Sequence, residues 1–295
     1  MAAVSQGLIE FANHFRQPPA PGVEVIETPR YRITIVQDYP IPGPNAASWI
    51  SCRPEESNQV IDEVREVFAA RRLPFMWILN PEIEPKAFPR YLAARAVHPD
   101  PTAPESAVMV LPVEASIESP RIEGLEMRDA LADAESFRSA DAVNAEAFGD
   151  AARGVTAEQR AGQERRRQDQ IAARNRRVLL ATIDGEPAGS SGMTLFPEGA
   201  IINGGAVREK FRGRGIYRAM VAERLRMARE AGTAGLVVWG GPMSAPILSK
   251  LGFEKVGWRR FYLDLSTAPV GSFRTPGSKS TKSPPEFGAF GAKST

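Results

Sequence analysis

The sequence of 295 residues contains a single cysteine, Cys52, and only two histidines, His14 and His98. One thiol forms no intramolecular disulfide, so the chain fits a reducing compartment, and a cytoplasmic setting is expected. One cysteine and two distant histidines also leave no zinc-ligand spacing and no Cys/His nucleophile pair, so no metal is expected. No run is long and apolar enough to cross a bilayer, and residues 1–17 lack the basic-then-apolar order of a secretion signal. No membrane partner follows from such a sequence. An excess of one charge is missing too: 37 basic against 35 acidic residues leave a formal net charge of +2. That balance exerts no global pull toward nucleic acid.

What is present reads as an ordinary folded protein, 43% hydrophobic and 24% charged, long enough for one large or two medium domains. Periodicity and turn signals predict helices over 4–15, from Arg53-Pro54-Glu55-Glu56 through Phe68, and over 85–95. Strands are predicted over 23–27, 31–36, 74–79 and 107–113. Polar loop residues accumulate at 114–120, where a domain boundary is expected. The second segment then reads as strand 122–127, helix 130–148, an Arg-rich helix 157–174 and strands 177–183, 188–196 and 200–208. Asp184-Gly185 supplies a hairpin turn between the first two of those strands. Helix 215–231, strand 235–239, helix 245–250 and strand 254–263 complete it. The division expected is therefore 1–116, 117–265 and a tail, 266–295, too rich in Gly, Pro, Ser and Lys to order itself.

The Arg-rich helix carries Arg160, Arg165, Arg166, Arg167 and Arg174. Glu158, Glu164 and Asp169 interrupt it, and no aromatic residue in it offers a base a stacking surface. A solvated helix face explains it better than nucleic-acid binding, and no nucleic-acid partner is expected.

The informative stretch is a strand, 200–208, then Arg212-Gly213-Arg214-Gly215, then a long helix. Ile216, Met220 and Met227, flanked by Tyr217, Val221 and Ala228, form its apolar stripe, with Arg218, Arg226 and Arg229 facing away. A docked helix start presents unpaired N–H groups and the positive end of the helix dipole, and glycines let a bulky anion reach them. The pattern suits a phosphate or pyrophosphate. It is not a P-loop, which needs GxxxxGK and then Ser or Thr. Nor is it a dinucleotide fingerprint: Gly213-Arg214-Gly215 is followed by Ile216-Tyr217-Arg218, without the third small residue, and Val237-Val238-Trp239 runs into glycines, without a closing acid.

The loop resembles motif A of the GNAT N-acetyltransferase superfamily, Gln/Arg-x-x-Gly-x-Gly/Ala after a strand ending in valine. Arg212, Gly215 and Val207 match it; Tyr217 stands where the family has a small residue. Ser249-Lys250-Leu251-Gly252-Phe253 before a strand is similar to the family's closing segment, so the resemblance covers residues 120–264. It implies an α/β (α+β) fold: a mixed, mostly antiparallel sheet with helices on both faces and a splayed parallel pair, strands 200–208 and 235–239. It implies acetyl-CoA as acyl donor, with its pantetheine paired to the backbone at Ala206 and Val207. Its pyrophosphate would lie on the amides from Arg212 and Gly213 through Arg214, Gly215 and Ile216 to Tyr217, where the tyrosine is expected to narrow the site. A strand N–H would stabilise the tetrahedral oxyanion.

The resemblance assigns no catalytic side chain. The family's tyrosine acid falls at Leu248, its asparagine at Gly241, and no acid occupies strand 200–208. Ser244 is a faint candidate acid, better explained as a helix cap before Ala245-Pro246. The expected activity is N-acetylation of a primary amine, on a small molecule or a peptide. A non-catalytic acyl-CoA-binding module is the alternative, and a polyanion binder the third reading. In the first segment, Asn45-Ala46-Ala47 before Arg53-Pro54 echoes Asn203-Gly204-Gly205-Ala206 before Arg212-Gly213, and Met76-Trp77 echoes Val238-Trp239. The segment is either a degenerate GNAT-like copy, its anion site lost to Pro54, Glu55 and Glu56, or an unrelated α/β cap. The residues leave both open, as they do the oligomeric state.

Overall fold

Capping and turn residues set several element boundaries in the computed structural model, which describes residues 3–37, 41–147 and 157–267. In chain order the elements are α1 (Gln6–His14), β1 (Glu24–Glu27), β2 (Arg32–Ile35), β3 (Ala46–Ser48), α2 (Ser57–Ala69), β4 (Phe75–Leu79), α3 (Phe88–Ala94), β5 (His98–Pro99) and β6 (Glu105–Pro112). Then come β7 (Leu125–Asp129), α4 (Ala134–Ala147), α5 (Ala157–Ala172), β8 (Arg176–Ile183), β9 (Glu186–Phe196) and β10 (Gly199–Val207). The last are α6 (Ile216–Glu230), β11 (Gly235–Gly240), α7 (Ala245–Lys250) and β12 (Glu254–Asp264). Ser5 caps α1 by accepting the Leu8 N–H. Asp133 accepts the Glu135 and Ser136 N–H groups at the head of α4, and those bonds hold its carboxyl below the usual range. Asp184 and Gly185, both at positive φ, make the turn between β8 and β9.

The described residues divide into two units, one of 3–15 and Ala107–Val256, the other of Arg16–Ser106 and 257–267. The first unit's sheet runs β7-β8-β9-β10-β11-β6, antiparallel except for β10 beside β11. Residues alternate across it. Ala181, Ala188, Met193, Ile202 and Val207 face Ile216, Met220, Val221 and Leu225 of α6. Val178 and Leu180 face Phe137 and Ala140 of α4. Leu8 and Ala12 of α1 pack on Val108, Val110 and Val237.

The second unit's sheet runs β1-β2-β3-β4-β12, antiparallel except for β3 beside β4, with β5 on β12. Val60, Ile61, Val64 and Phe68 of α2 are fully buried, and Phe68 stacks on Phe75 at 4.1 Å between ring centroids. The buried Asp264 carboxylate accepts from Arg65 at 2.8 Å and from the Trp77 indole at 3.2 Å. Strand β3 and the two-residue β5 lie where the sequence reading placed no strand. Of the tail, 268–295 lie outside the described residues.

Both units contain one chain plan: three consecutive antiparallel strands (β8–β10 and β1–β3), a crossover helix (α6 and α2), a strand parallel to the third (β11 and β4) and an antiparallel neighbour to that strand, the first unit adding β7, α4 and α5 ahead of it. The neighbour comes from the other half of the chain. β6 lies beside β11 in the first unit, and β12 beside β4 in the second. A cut near residue 116 therefore separates β11 from β6 and β4 from β12, which a linear reading of domain boundaries cannot register. A chain beginning at residue 117 leaves the β11 edge bare over the six residues that pair with β6. It is expected to lose the cooperative thermal transition of the full chain in circular dichroism. A transition as sharp as that of the full chain would contradict this reading of the strand exchange.

Candidate functional site

The parallel pair stays together for two residues only: Ala200 registers with Leu236 and Ile201 with Val237. Beyond them both strands continue, but apart. β10 remains on β9 through Val207 and Gly189, and β11 remains on β6 through Gly240 and Ala107. An irregularity in β10 between Asn203 and Ala206 bends that strand at the point of opening. The facing edges thus carry backbone groups with no strand partner, and the buried Ala206 and Val207 stand on the β10 side of the gap.

From Val207 the chain makes one tight turn, Glu209–Phe211, and reaches Arg212. Gly213 and Gly215 adopt φ of +75° and +86°, the left-handed region that other residues enter at a cost. A Cβ at Gly213 would meet nothing within 4 Å, whereas one at Gly215 would lie 2.9 Å from Pro120. Gly213 is therefore open to a ligand, and Gly215 is closed by packing. The Arg212 N–H donates to Glu209 and the Ala219 N–H to Gly215. Between them the N–H groups of Gly213, Arg214, Gly215, Ile216, Tyr217 and Arg218 have no acceptor among the described residues. They lie at the positive end of α6 beside two arginines, and Arg212 is tethered by its Nε to the Val207 carbonyl at 3.3 Å. The structure thus brings together all the residues expected at the anion site, next to the strand opening. The open glycine, the row of free amides and the cationic side chains suit a pyrophosphate.

Tyr217, the departure from the motif, is accommodated by a second departure in size. A Cβ at Gly205 would lie 2.7 Å from its ring, so the strand residue must be glycine for the tyrosine to pack there. Beneath it lies Arg224, a fully buried arginine that the sequence reading did not single out. Its Nε donates to Met220 O at 3.2 Å and Nη1 to Gly192 O at 3.5 Å, while Nη2 has no hydrogen-bond partner. Burial lowers its pKa and the Tyr217 hydroxyl, the polar side chain acting on it, works the other way. Burial likewise raises Tyr217. The signal was available: Arg224 falls four residues after Met220 and seven after Tyr217, within the apolar stripe.

Side chains able to donate or accept a proton are scarce here. Leu248 is fully buried among Met109, Leu236 and Val238. Ser244 stands at the N-cap position just before α7 but its side chain makes no cap bond; its hydroxyl donates instead to Gly241 O at 3.4 Å, so the cap explanation does not hold in detail. Among the described residues no group of three His, Cys, Asp or Glu could hold a metal.

The coupling of Tyr217 to Arg224 can be measured. Tyr217→Phe removes the hydroxyl from a buried cation and is expected to cost about 1–3 kcal/mol in urea unfolding. In an Arg224→Met background, where no charge remains to satisfy, the same change should cost less than half as much. Equal costs in both backgrounds would show that the two side chains are independent.

A family model described as Acetyltransferase (GNAT) family matches residues 145–253. Similar solved structures include a GCN5-related N-acetyltransferase from Kribbella flavida (18% identity, 88% of this chain and 91% of that one, TM-score 0.61). A conserved protein of unknown function from Staphylococcus epidermidis matches at 13% identity over 88% of this chain and 99% of that one, TM-score 0.62. A tandem GNAT protein from the clavulanic acid biosynthesis pathway matches at 14% identity over 90% and 89%, TM-score 0.55. At these identities the likeness is one of fold. No curated sequence matches. Residues 145–253 thus match the GNAT acetyltransferase family model, and the mostly antiparallel sheet with its briefly joined parallel pair is similar in fold to these structures.

Proposed function

We propose that the chain transfers an acetyl group from acetyl-CoA to a primary amine by direct attack of the amine on the thioester. The observation that carries this is the run of six unpartnered amides, 213–218, at a helix start beside a strand gap. In this reading Arg212, Gly213, Arg214, Gly215, Ile216 and Tyr217 hold the pyrophosphate. The free backbone edge at Ala206 and Val207 pairs with the pantetheine amides as an added strand would. A β10 N–H at the opening donates to the thioester oxygen as it becomes an oxyanion, an interaction whose loss typically costs about 2.7–4 kcal/mol. The rest of the rate comes from holding a neutral amine beside the carbonyl. A cytosolic setting fits the single cysteine.

The second unit is read here as a degenerate copy of the same plan. Its crossover helix begins after Arg53, whose N–H is taken by Glu56 and whose side chain is paired with Glu55 and Glu56. Pro54 lacks an N–H, so little is left there for an anion. One observation favours a second reading, a non-catalytic acyl-CoA-binding module: the family's tyrosine position is the buried Leu248.

Calorimetric titration of acetyl-CoA into the native chain and into a Gly213→Asp variant, whose new side chain meets open space, tests the reading, followed by an amine screen. Binding in the micromolar range that is lost in the folded variant, with turnover on an amine, is expected. Binding without turnover favours the non-catalytic module, and no binding by the native chain contradicts both.

A further inference from the structure

The α4-facing side of the first unit's sheet carries a charge unbalanced among the described residues. Arg176 of β8 lies on the α4-facing side, opposite to α6, with Thr194 of β9 registered beside it and Asn203 at the start of the β10 irregularity. Its Nη1 donates to Thr194 Oγ1 at 2.9 Å and to Asn203 Oδ1 at 2.8 Å. Nε and Nη2 have no acceptor among the described residues. A Cβ at Gly192 would stand 2.4 Å from Nη2 and 2.7 Å from Asn203 Oδ1, so a missing side chain makes the room that the guanidinium occupies. Among the described residues no carboxylate acts on it. Burial, and then repulsion from Arg224, bring its pKa down to about 10. A half-buried cation with neutral partners and a second cation nearby is a costly arrangement for a fold alone. Yet the side chain remains partly open to solvent.

Beside it is a second group with unmet bonding. One end of the Asn144 amide is bonded to Ser190 Oγ at 3.2 Å; the other is buried and has no partner. That free end lies 3.9 Å from where a Cβ of Gly204 would be, at the irregular turn of β10. The cation and the free amide therefore flank the same stretch of strand, one through Asn203 and the other at Gly204.

We infer that the amine acceptor is an amino-carboxylate, whose carboxylate pairs with Arg176 on the α4 face of the sheet while Asn144 meets its amino end beside the opening in β10. The inference rests on the acetyltransferase reading and specifies the acceptor class. Arg176 still offers three of its five N–H donors, in the fork geometry that matches a carboxylate. The pair would also supply the counter-charge that the cluster lacks. Asn203 acts as a positioning residue, tying the guanidinium to the strand where transfer occurs.

The test is steady-state acetylation by the full chain with acetyl-CoA of a panel of α- and ω-amino acids and of their amides. Carboxylate acceptors should exceed their amides in kcat/KM by at least about 30-fold, mostly through KM, as loss of a buried charge pair implies. Arg176→Gln should abolish that preference. Asn203→Asp, which sets a fixed carboxylate against the guanidinium, should abolish it as well without emptying the site. Arg226→Gln, on the exposed face of α6, should leave it intact. Calorimetric binding of acetyl-CoA reports that each variant is folded. Equal rates on acids and amides, or a preference that survives both site variants, overturns the assignment and leaves the acetyltransferase reading standing. Acetyl-CoA binding with no acetylation of any amine removes both.

Discussion

Everything at the candidate site depends on a parallel strand pair that holds together for only two residues. Interior strand edges must find partners for their N–H and C=O groups, so a pair that opens inside a sheet creates a demand for something else to bond there. In this chain β9 and β6 hold the outer edges of β10 and β11, and the irregularity at Asn203 to Ala206 turns β10 away from β11. The same opening sets the start of α6, because the crossover must leave β10 at Val207 and return to begin β11 at Gly235. The anion loop is therefore fixed relative to the gap by one rigid strand and one docked helix. A ligand long enough to join the two meets pre-placed backbone at both ends, which is how a site can bind through main-chain groups with few dedicated side chains.

The charges around the opening follow a consistent pattern. Arg224 reaches the β9 backbone from the α6 side and Arg176 lies on the α4 side, and among the described residues neither has a carboxylate acting on it. Burying cations without counter-ions disfavours folding, and packed apolar residues would be at least as stable in their place. In the proposed reading, an anionic acceptor supplies the counter-charge that Arg176 does not find among the described residues. Arg224 is partly answered within the fold by Tyr217, whereas Arg176 has only the neutral oxygens of Thr194 and Asn203. The two arginines thus differ in kind: one helps pack an unusually large residue at the loop, and the other faces solvent with donors to spare.

Much of the fold was legible because it rests on local signals. The apolar stripes of α2 and α6, the Asp184-Gly185 turn and the Arg212 to Gly215 loop identify themselves within a few residues of sequence. Strand β3 did not, since it is three residues long and ends at Trp49, which takes a positive φ. The exchange of β6 and β12 is a property of pairings more than a hundred residues apart, which no local pattern encodes. At the candidate site, the glycine and arginine loop before α6 could be located in the sequence, but the strand gap came only through resemblance to a family. Arg176 looked like one more arginine after an Arg-rich helix. Its significance arises from its strand neighbours, the space left by Gly192 and the absence of nearby acids, and these are visible only in three dimensions.

The central claim is that the free amides of the loop and the open edge of β10 bind one ligand together. Amide hydrogen exchange of the native chain, followed residue by residue with and without acetyl-CoA, tests this most directly. The account predicts simultaneous slowing at 213–218 and at the β10 edge around Ala206 and Val207, with the second unit's helix start at 55–57 unchanged. Exchange at the loop that is unaffected by saturating acetyl-CoA, or protection confined to the second unit, would contradict it.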